Sequence, residues 1–256
     1  MDLQLDGKVV MISGASKGLG RAMALAFAAE KARLSICARG ADALAQAQAE
    51  LRSAGAQVMA QAADVTDPAA ASRWVSATIE HFGGVDVLVN NAGGADPRPF
   101  AALDENAWQA AFNQNFFSAV VLARACAAEM RKRGGGAIVN ITSIYGREAG
   151  GPVSYNTSKA ALISLTKMLA RELAPDAIRV NAVAPGSIIY PGGVWEGLFR
   201  QNPAFEKDFI AHEFPCGRLG RPEEVAYAVV MLASPRASWI TGACLPVDGA
   251  QGRSNF

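Results

Sequence analysis

Residues 8–20, Lys8-Val9-Val10-Met11-Ile12-Ser13-Gly14-Ala15-Ser16-Lys17-Gly18-Leu19-Gly20, decide the fold. A short, β-branched apolar run (KVVMIS) ends at Gly14, and an Ala-rich run over residues 18–30 (GLGRAMALAFAAE) is long enough for a helix. The pattern predicts a strand feeding a helix through glycines. Gly14, Gly18 and Gly20 are spaced GxxxGxG, which differs by one inserted position from the GxGxxG spacing of many dinucleotide-binding turns. The physical demand is the same: a tight turn, close backbone approach to a pyrophosphate, and a helix N-terminus whose free N–H groups face the anion. Such glycines also serve helix–strand packing alone. The position after the first strand and at the opening of the first helix favours the phosphate-binding reading.

Working outward, the alternation repeats. Residues 33–38, 57–62 and 85–90 read as strands, and residues 41–54 and 68–82 as helices. The second half adds a long helix over 105–132, a strand over 137–142, a helix over 155–173, and strands over 179–183 and 244–247. Strands such as VDVLVN are almost continuously apolar, as expected where helices cover both faces of a sheet. The expected fold is therefore α/β: a doubly wound, Rossmann-like, mostly parallel seven-stranded sheet in a single domain over residues 1–256. One segment breaks the rhythm. Residues 190–220 intersperse Pro191, Gly192, Gly193, Pro203 and Pro215 with Trp195, Phe199, Phe205, Phe209 and Phe214, and read as a substrate lid hinged at Pro191-Gly192-Gly193.

The 256 residues are 51% hydrophobic and 18% charged, and 24 Lys+Arg against 23 Asp+Glu leave a net charge of +1. That balance offers no field to recruit nucleic acid or an anionic membrane. Cys37, Cys126, Cys216 and Cys244 lie far apart without a CxxC pair, and with only His81 and His212 to assist them no metal site is expected. Residues 1–10 carry Asp2 and Asp6 and no apolar signal-peptide core, so the reading is a cytoplasmic protein without a membrane span.

The second strand ends Cys37-Ala38-Arg39, where an NAD site usually places a carboxylate for the ribose 2′-hydroxyl. No carboxylate follows before Asp42, whereas Arg39 and Lys17 are placed to reach a 2′-phosphate. NADP(H) is the expected cofactor and NAD(H) the alternative. Tyr155 and Lys159 stand four apart at the start of a predicted helix, which puts them on one face. An ammonium beside a phenol favours the phenolate, so the spacing predicts a Tyr155 pKa lowered toward neutrality and suited to proton exchange with an alcohol or carbonyl oxygen. Ser143 ends a strand (IVNITS) twelve residues earlier, on the sheet edge where such folds hold ligands.

As a set these residues resemble the short-chain dehydrogenase/reductase family over essentially the whole chain. The glycine turn, Asp64 in ADV, Asn90-Asn91-Ala92-Gly93, Asn115, Ser143, Tyr155, Lys159 and Pro185-Gly186 follow the family's order. The resemblance implies that Tyr155 is the general acid/base, that Lys159 lowers its pKa and binds the nicotinamide ribose, and that Ser143 hydrogen-bonds the substrate oxygen. It further implies that Asn115 holds a water in a relay with Lys159. By the same resemblance the cofactor is held by Gly14, Ser16, Lys17, Gly18, Leu19, Gly20, Arg39, Asp64, Val65, Asn91, Ala92, Gly93, Tyr155, Lys159, Pro185, Gly186 and Ile188. The implied activity is reversible hydride transfer between a carbonyl compound and a secondary alcohol, in a homotetramer or homodimer packed through 105–132, 155–173 and the stretch 239–256.

This chain departs from the family at Tyr190, where many members carry a Thr whose hydroxyl meets the nicotinamide carboxamide. The aromatic lid suggests an apolar or medium-sized carbonyl substrate. In the branch that reduces 3-oxoacyl thioesters, basic residues receive the acidic carrier protein; Arg131, Lys132 and Arg133 fit that role, while Asp176 stands where a second cation belongs. Arg98 and Arg147 flank the expected pocket. A non-catalytic NADP(H) sensor is the alternative of another class, since a fold does not by itself fix a function.

Overall fold

The computed structural model describes residues 2–255. Each apolar run forms a strand: β1 (Val9–Ser13), β2 (Arg33–Ala38), β3 (Val58–Ala62), β4 (Val87–Asn90), β5 (Gly136–Ile141), β6 (Ile178–Pro185) and β7 (Cys244–Val247). They make one seven-stranded sheet in the order β3-β2-β1-β4-β5-β6-β7, and every pairing is parallel, so the expected mostly parallel sheet is wholly so.

The helices between them are α1 (Gly18–Ala29), α2 (Ala41–Ser53), α3 (Pro68–Phe82), α4 (Glu105–Phe112), α5 (Ser118–Lys132), α6 (Val153–Leu173), α7 (Val194–Gln201), α8 (Pro203–Glu213) and α9 (Pro222–Ala233). They cover both faces. On one, Met23 and Phe27 of α1, Leu44 and Leu51 of α2 and Val225 and Val229 of α9 pack on Val10, Ile12, Leu34 and Val139. On the other, Trp74 of α3, Leu122, Cys126 and Met130 of α5 and Leu173 of α6 pack on Met11, Leu88, Ile138 and Val180. Adjacent residues of one strand thus enter opposite cores, which is why the strand sequences show no polar face.

The chain winds outward from β1 to β3 and then crosses back to β4 on the other side of β1. The turn after β1 and the turn after β4 therefore diverge and leave a crevice at their carboxyl ends, the place where open α/β sheets bind ligands.

Four expectations change. The helix read over 105–132 is two helices joined by a π-helical turn, Asn113–Phe117. Its cause is Asn115, whose side-chain amide donates to the Ala111 carbonyl at 3.0 Å while gripping Gly94 outside the helix, so a side chain competes with the regular backbone ladder. Helix α6 begins at Val153, two residues before Tyr155, and β6 extends to Pro185. Residues 190–220 hold two helices, started by Gly193 and by Asn202-Pro203, in place of an extended loop. No helix among the described residues is long and apolar enough to cross a membrane.

Candidate active site

The glycine turn is built by close approach. Gly14 turns the chain at φ +68, and a Cβ on Gly20 would sit on the Gly14 carbonyl oxygen, so only glycine lets α1 press against the end of β1. Asn91, just beyond β4, closes the seam: its side-chain amide donates to the Ser13 and Gly14 carbonyls at 2.9 and 3.0 Å. The Ser13 hydroxyl in turn accepts from the Asn91 and Ala92 N–H groups, both at 3.0 Å. Lys17 occupies the N-cap position of α1 without capping it, which leaves the first N–H groups of the helix free of any side-chain acceptor. Ser16, Gly18 and Leu19 complete the rim of the turn, with Leu19 also packing on the core.

Asp64 follows β3 on the same sheet edge. The Thr66 N–H and hydroxyl both donate to its Oδ1, at 3.0 and 2.8 Å. Burial pushes the Asp64 carboxyl up, but those bonds and the nearby Arg39 guanidinium outweigh it and hold the group below its ordinary value. Arg39 and Lys17 are both exposed, and the Ala15 N–H bonds the Cys37 carbonyl at 3.0 Å, so the turn and the end of β2 are tied together with the two cations over one rim. The Val65 side chain is buried in the core, leaving its backbone to the crevice.

The Ser143 hydroxyl, buried at the end of β5, accepts the Tyr145 N–H at 3.1 Å. Tyr155 and Lys159 lie one turn apart on α6, with Lys159 Nζ 5.6 Å from the Tyr155 ring centroid. Here the structure corrects the sequence reading. Burial pushes the Tyr155 phenol above its ordinary value, and the opposing pull comes from hydrogen bonding with Ser143. Lys159 instead donates to the Ile141 carbonyl at 2.8 Å, and burial drives its own pKa from 10.5 down to about 8. The charge that the spacing placed beside the phenol is itself costly, because no carboxylate accompanies it.

Asn115 is buried in the π turn. Its Oδ1 accepts the Gly94 N–H at 3.0 Å and its amide donates to the Gly94 carbonyl at 2.9 Å, so it anchors the loop after β4. A Cβ on Gly93 would lie 2.8 Å from Asn115 Oδ1 and 3.3 Å from Lys159 Nζ. Bare backbone at Gly93 thus opens onto both polar groups at once. After β6, Gly186 meets Gln251, a residue with no signal in the sequence: Gln251 Oε1 accepts the Ser187 N–H at 2.7 Å and its amide donates to the Ser187 hydroxyl at 3.0 Å. The Ile188 side chain turns into the core against Gly220, so its backbone alone remains for a ligand. Ser13, Thr66, Gly94 and Gln251 support the site unannounced. The Asp64-Val65-Thr66 spacing, suited to a side-chain-closed turn, is the one local hint among them.

The crevice fits a dinucleotide: a cradle that any Cβ would fill, uncapped helical N–H groups, and an acidic side chain and two cations at one end. The aromatic segment behaves differently from its expected role. Trp195 stacks on Phe209 with centroids 4.6 Å apart, and Phe199, Phe214 and Leu219 are buried with them in a separate small core. Much of the aromatic surface therefore holds α7 against α8. Arg98 pairs with Asp96 at 2.6 Å, Arg131 with Asp176 at 2.6 Å, Lys132 with Glu129 at 2.6 Å and Arg133 with Asp86 at 3.1 Å. The last three stand where α5 leads into β5, on the sheet edge opposite Ser143.

A family model described as enoyl-(acyl carrier protein) reductase matches residues 14–250. The chain is 36% identical to the 7α-hydroxysteroid dehydrogenase of Escherichia coli (strain K12) over 249 residues, 97% of this chain and 95% of that one. Among solved structures it is similar to L-sorbose reductase from Gluconobacter frateurii complexed with NADPH and L-sorbose, with a TM-score of 0.94, 35% identity and coverage of 99% and 100%. A 7α-hydroxysteroid dehydrogenase complexed with NADH and 7-oxoglycochenodeoxycholic acid matches with a TM-score of 0.89 and 36% identity over 97% of this chain and 95% of that one. The chain belongs to the short-chain dehydrogenase/reductase family and is a nicotinamide-dependent oxidoreductase acting between CH–OH and C=O groups.

The buried Lys159 makes stability depend on pH. Below about pH 8 the folded and unfolded chains both carry its proton, and the folded chain bears the whole desolvation cost; between 8 and 10.5 the folded chain loses the proton first and the cost falls away. Lys159→Met should therefore be more stable than the parent at pH 7, by up to about 3 kcal/mol less the lost Ile141 bond. The difference should shrink from pH 8 to 10 in denaturant titrations. A difference that stays constant with pH counts against a depressed Lys159.

Proposed function

We propose that the protein interconverts a small-molecule carbonyl compound and its secondary alcohol with NADP(H) as preferred cofactor, using Asn115, Ser143, Tyr155 and Lys159. One juxtaposition carries the reading: the Ser143 hydroxyl beside the Tyr155 phenol, with Lys159 one helical turn on, at the carboxyl end of the central strands. Gly14–Gly20, Asp64, Val65, Asn91, Ala92, Gly93 and residues 185–188 would hold the cofactor, which when bound supplies or accepts the hydride at the carbonyl carbon.

The chain's own groups manage the proton. Tyr155, kept protonated by burial, is the acid that delivers a proton to the carbonyl oxygen as negative charge grows on it, and the Ser143 hydroxyl donates a second hydrogen bond to the same atom. The hydrogen bond with Ser143 is what favours the phenolate in the alcohol-oxidising direction, and Lys159, held on the Ile141 carbonyl one helical turn away, would meet the cofactor's ribose. Asn115 acts through Gly94, holding open the bare backbone at Gly93 that faces the Lys159 ammonium.

Arg39 and Lys17 over the end of β2, with no carboxylate there before Asp42, support NADP(H) over NAD(H). Residues 190–220 act as the substrate lid in this reading. Since its aromatics are largely spent on one another, they give no reason to restrict the substrate to apolar compounds. Arg131, Lys132 and Arg133 stand on the sheet edge opposite Ser143 and pair with Asp176, Glu129 and Asp86, which weighs against their serving an acyl-carrier substrate at this site. A sensor without turnover has no use for the Ser143–Tyr155 pair.

A homo-oligomer is supported by apolar side chains left in solvent: Trp239 is 97% exposed, with Tyr227, Met231 and Ile240 on the same end of the chain and Phe117 and Met168 on α5's approach and α6. Phe256, the end of the expected C-terminal contact, lies outside the described residues.

Tyr155→Phe should lower turnover about a thousandfold while NADPH titration stays near the parent value; near-normal turnover would refute the acid's identity. Arg39→Asp should shift the NADP-to-NAD efficiency ratio toward NAD by roughly ten- to a hundredfold, and an unchanged ratio sinks the cofactor assignment. Sedimentation at micromolar concentration should show a species larger than the monomer, and a monomer there contradicts the oligomer.

A further inference from the structure

The short turn after β5, Ile144–Gly146, carries a second phenol, Tyr145, whose backbone N–H donates to the Ser143 hydroxyl at 3.1 Å. Its half-buried ring is held from both sides. A Cβ on Gly150 would lie 2.5 Å from Tyr145 Cε1 and 2.6 Å from Cδ1, and a Cβ on Gly151 would lie 2.6 Å from Cδ2 and 3.1 Å from Cε2. Both glycines turn at positive φ, +150 and +64, so the clamp depends on bare backbone twice over. Among the described residues no group hydrogen-bonds the Tyr145 hydroxyl. A donor fixed next to Ser143 is thus left without a protein acceptor.

Two half-buried carboxylates share its surroundings, Glu148 three residues on and Glu213 at the end of α8. The C-terminal segment joins them: the Arg253 N–H donates to Glu148 Oε2 at 2.5 Å, and the Arg253 guanidinium faces Glu213 Oε1 at 3.5 Å. That segment is packed on the Tyr145 turn, since a Cβ on Gly252 would lie 3.5 Å from Ile144 Cγ2. Glu148 Oε1 and Glu213 Oε2 have no partner among the described residues. Burial, Glu213 and Glu148, in that order, push the Tyr145 phenol above its ordinary value, so it stays a donor, and Tyr145 in turn adds to the upward push on Tyr155. An unspent phenol and unspent carboxylate oxygens therefore stand together beside the reacting groups. A ligand group that satisfies both must accept one hydrogen bond and donate another. A hydroxyl does so, whereas an ether or carbonyl oxygen only accepts and an ammonium only donates.

We propose that the substrate is an α-hydroxy carbonyl compound and that Tyr145 and Glu213 select it: the Tyr145 phenol donates to the substrate's hydroxyl oxygen, and that hydroxyl donates to the free oxygen of Glu213. The inference rests on the hydride-transfer reading of Ser143, Tyr155 and Lys159. Glu213 is the less committed carboxylate, because Glu148 is already held by the short bond from the Arg253 N–H. Both residues determine specificity and move neither hydride nor proton. A plain ketone in the same place would cover the phenol and the carboxylate without pairing them, which is how a polar site rejects an analogue that lacks the hydroxyl.

The test uses the full chain, NADPH, and two pairs of ketones matched in shape: hydroxyacetone with methyl ethyl ketone, and dihydroxyacetone with diethyl ketone. The parent should favour the hydroxylated member of each pair by about tenfold or more in kcat/KM. Tyr145→Phe keeps the ring and the backbone bond to Ser143; it should raise KM for the hydroxylated ketones about tenfold at unchanged kcat, and leave the plain ketones and the melting temperature as in the parent. Glu213→Gln should move the same KM in the same direction. A parent that favours the plain ketones, or reduces none of the four, overturns the substrate class. A Tyr145→Phe variant that loses kcat on every ketone alike acts through Tyr155 and overturns the selecting role, as does one indistinguishable from the parent. The hydride-transfer reading itself fails only if a broad panel of carbonyls and alcohols gives no turnover with NADPH, NADH or their oxidised forms, and this inference then fails with it.

Discussion

The two central strands, β1 and β4, run side by side and then part, and the site depends on how that parting is sealed. Where crossovers leave in opposite directions, backbone carbonyls and N–H groups lose their sheet partners, and leaving them bare in a half-buried crevice is costly. Asn91 and Ser13 supply the missing partners reciprocally, each satisfying backbone of the other's strand. With that seam closed, Gly20 lets α1 rest directly on Gly14, and the crevice keeps fixed walls and an uncapped helix end.

The side of the crevice that holds Ser143, Tyr155 and Lys159 is built against local stability. Lys159 is buried without a carboxylate, held by one carbonyl, and its charge is correspondingly disfavoured. Tyr155 is disfavoured as an anion by the same burial. Each group is thereby poised to change protonation when something alters its surroundings. The π turn belongs to this economy: α4 and α5 give up regular geometry so that Asn115 reaches Gly94 and keeps the loop beneath Lys159 in place.

In the segment between β6 and α9 an aromatic pattern alone does not separate residues that pack on one another from residues that face a ligand. Its aromatics suggested a greasy surface for a substrate. In the structure Trp195, Phe199, Phe209 and Phe214 form the private core that two short helices need in order to fold away from the main sheet. Tyr190, separated from Trp195 in the sequence only by a proline, two glycines and a valine, crosses to the glycine turn. The aromatic cluster and the ring over the glycine turn are told apart by packing alone.

The strands, most helices, the glycine turn and the positions of Ser143, Tyr155 and Lys159 were legible in the sequence because each is written in contiguous residues: an apolar run, a helical spacing, glycines between a strand and a helix. The helix read over 68–82 forms as α3, where the Asp67 side chain accepts the Ala69 N–H at 2.9 Å just ahead of Pro68. What only the tertiary structure decided are the effects that depend on partners distant in the chain. The helix over 105–132 breaks because Asn115 finds Gly94; the cations Arg131 and Arg133 at the end of α5 are paired because Asp176 and Asp86 lie beside them; and Lys159 falls to about 8 because the fold removes water without supplying an anion. Local sequence determines which backbone conformations are cheap, whereas desolvation and the choice of hydrogen-bond partner are properties of the assembled interior.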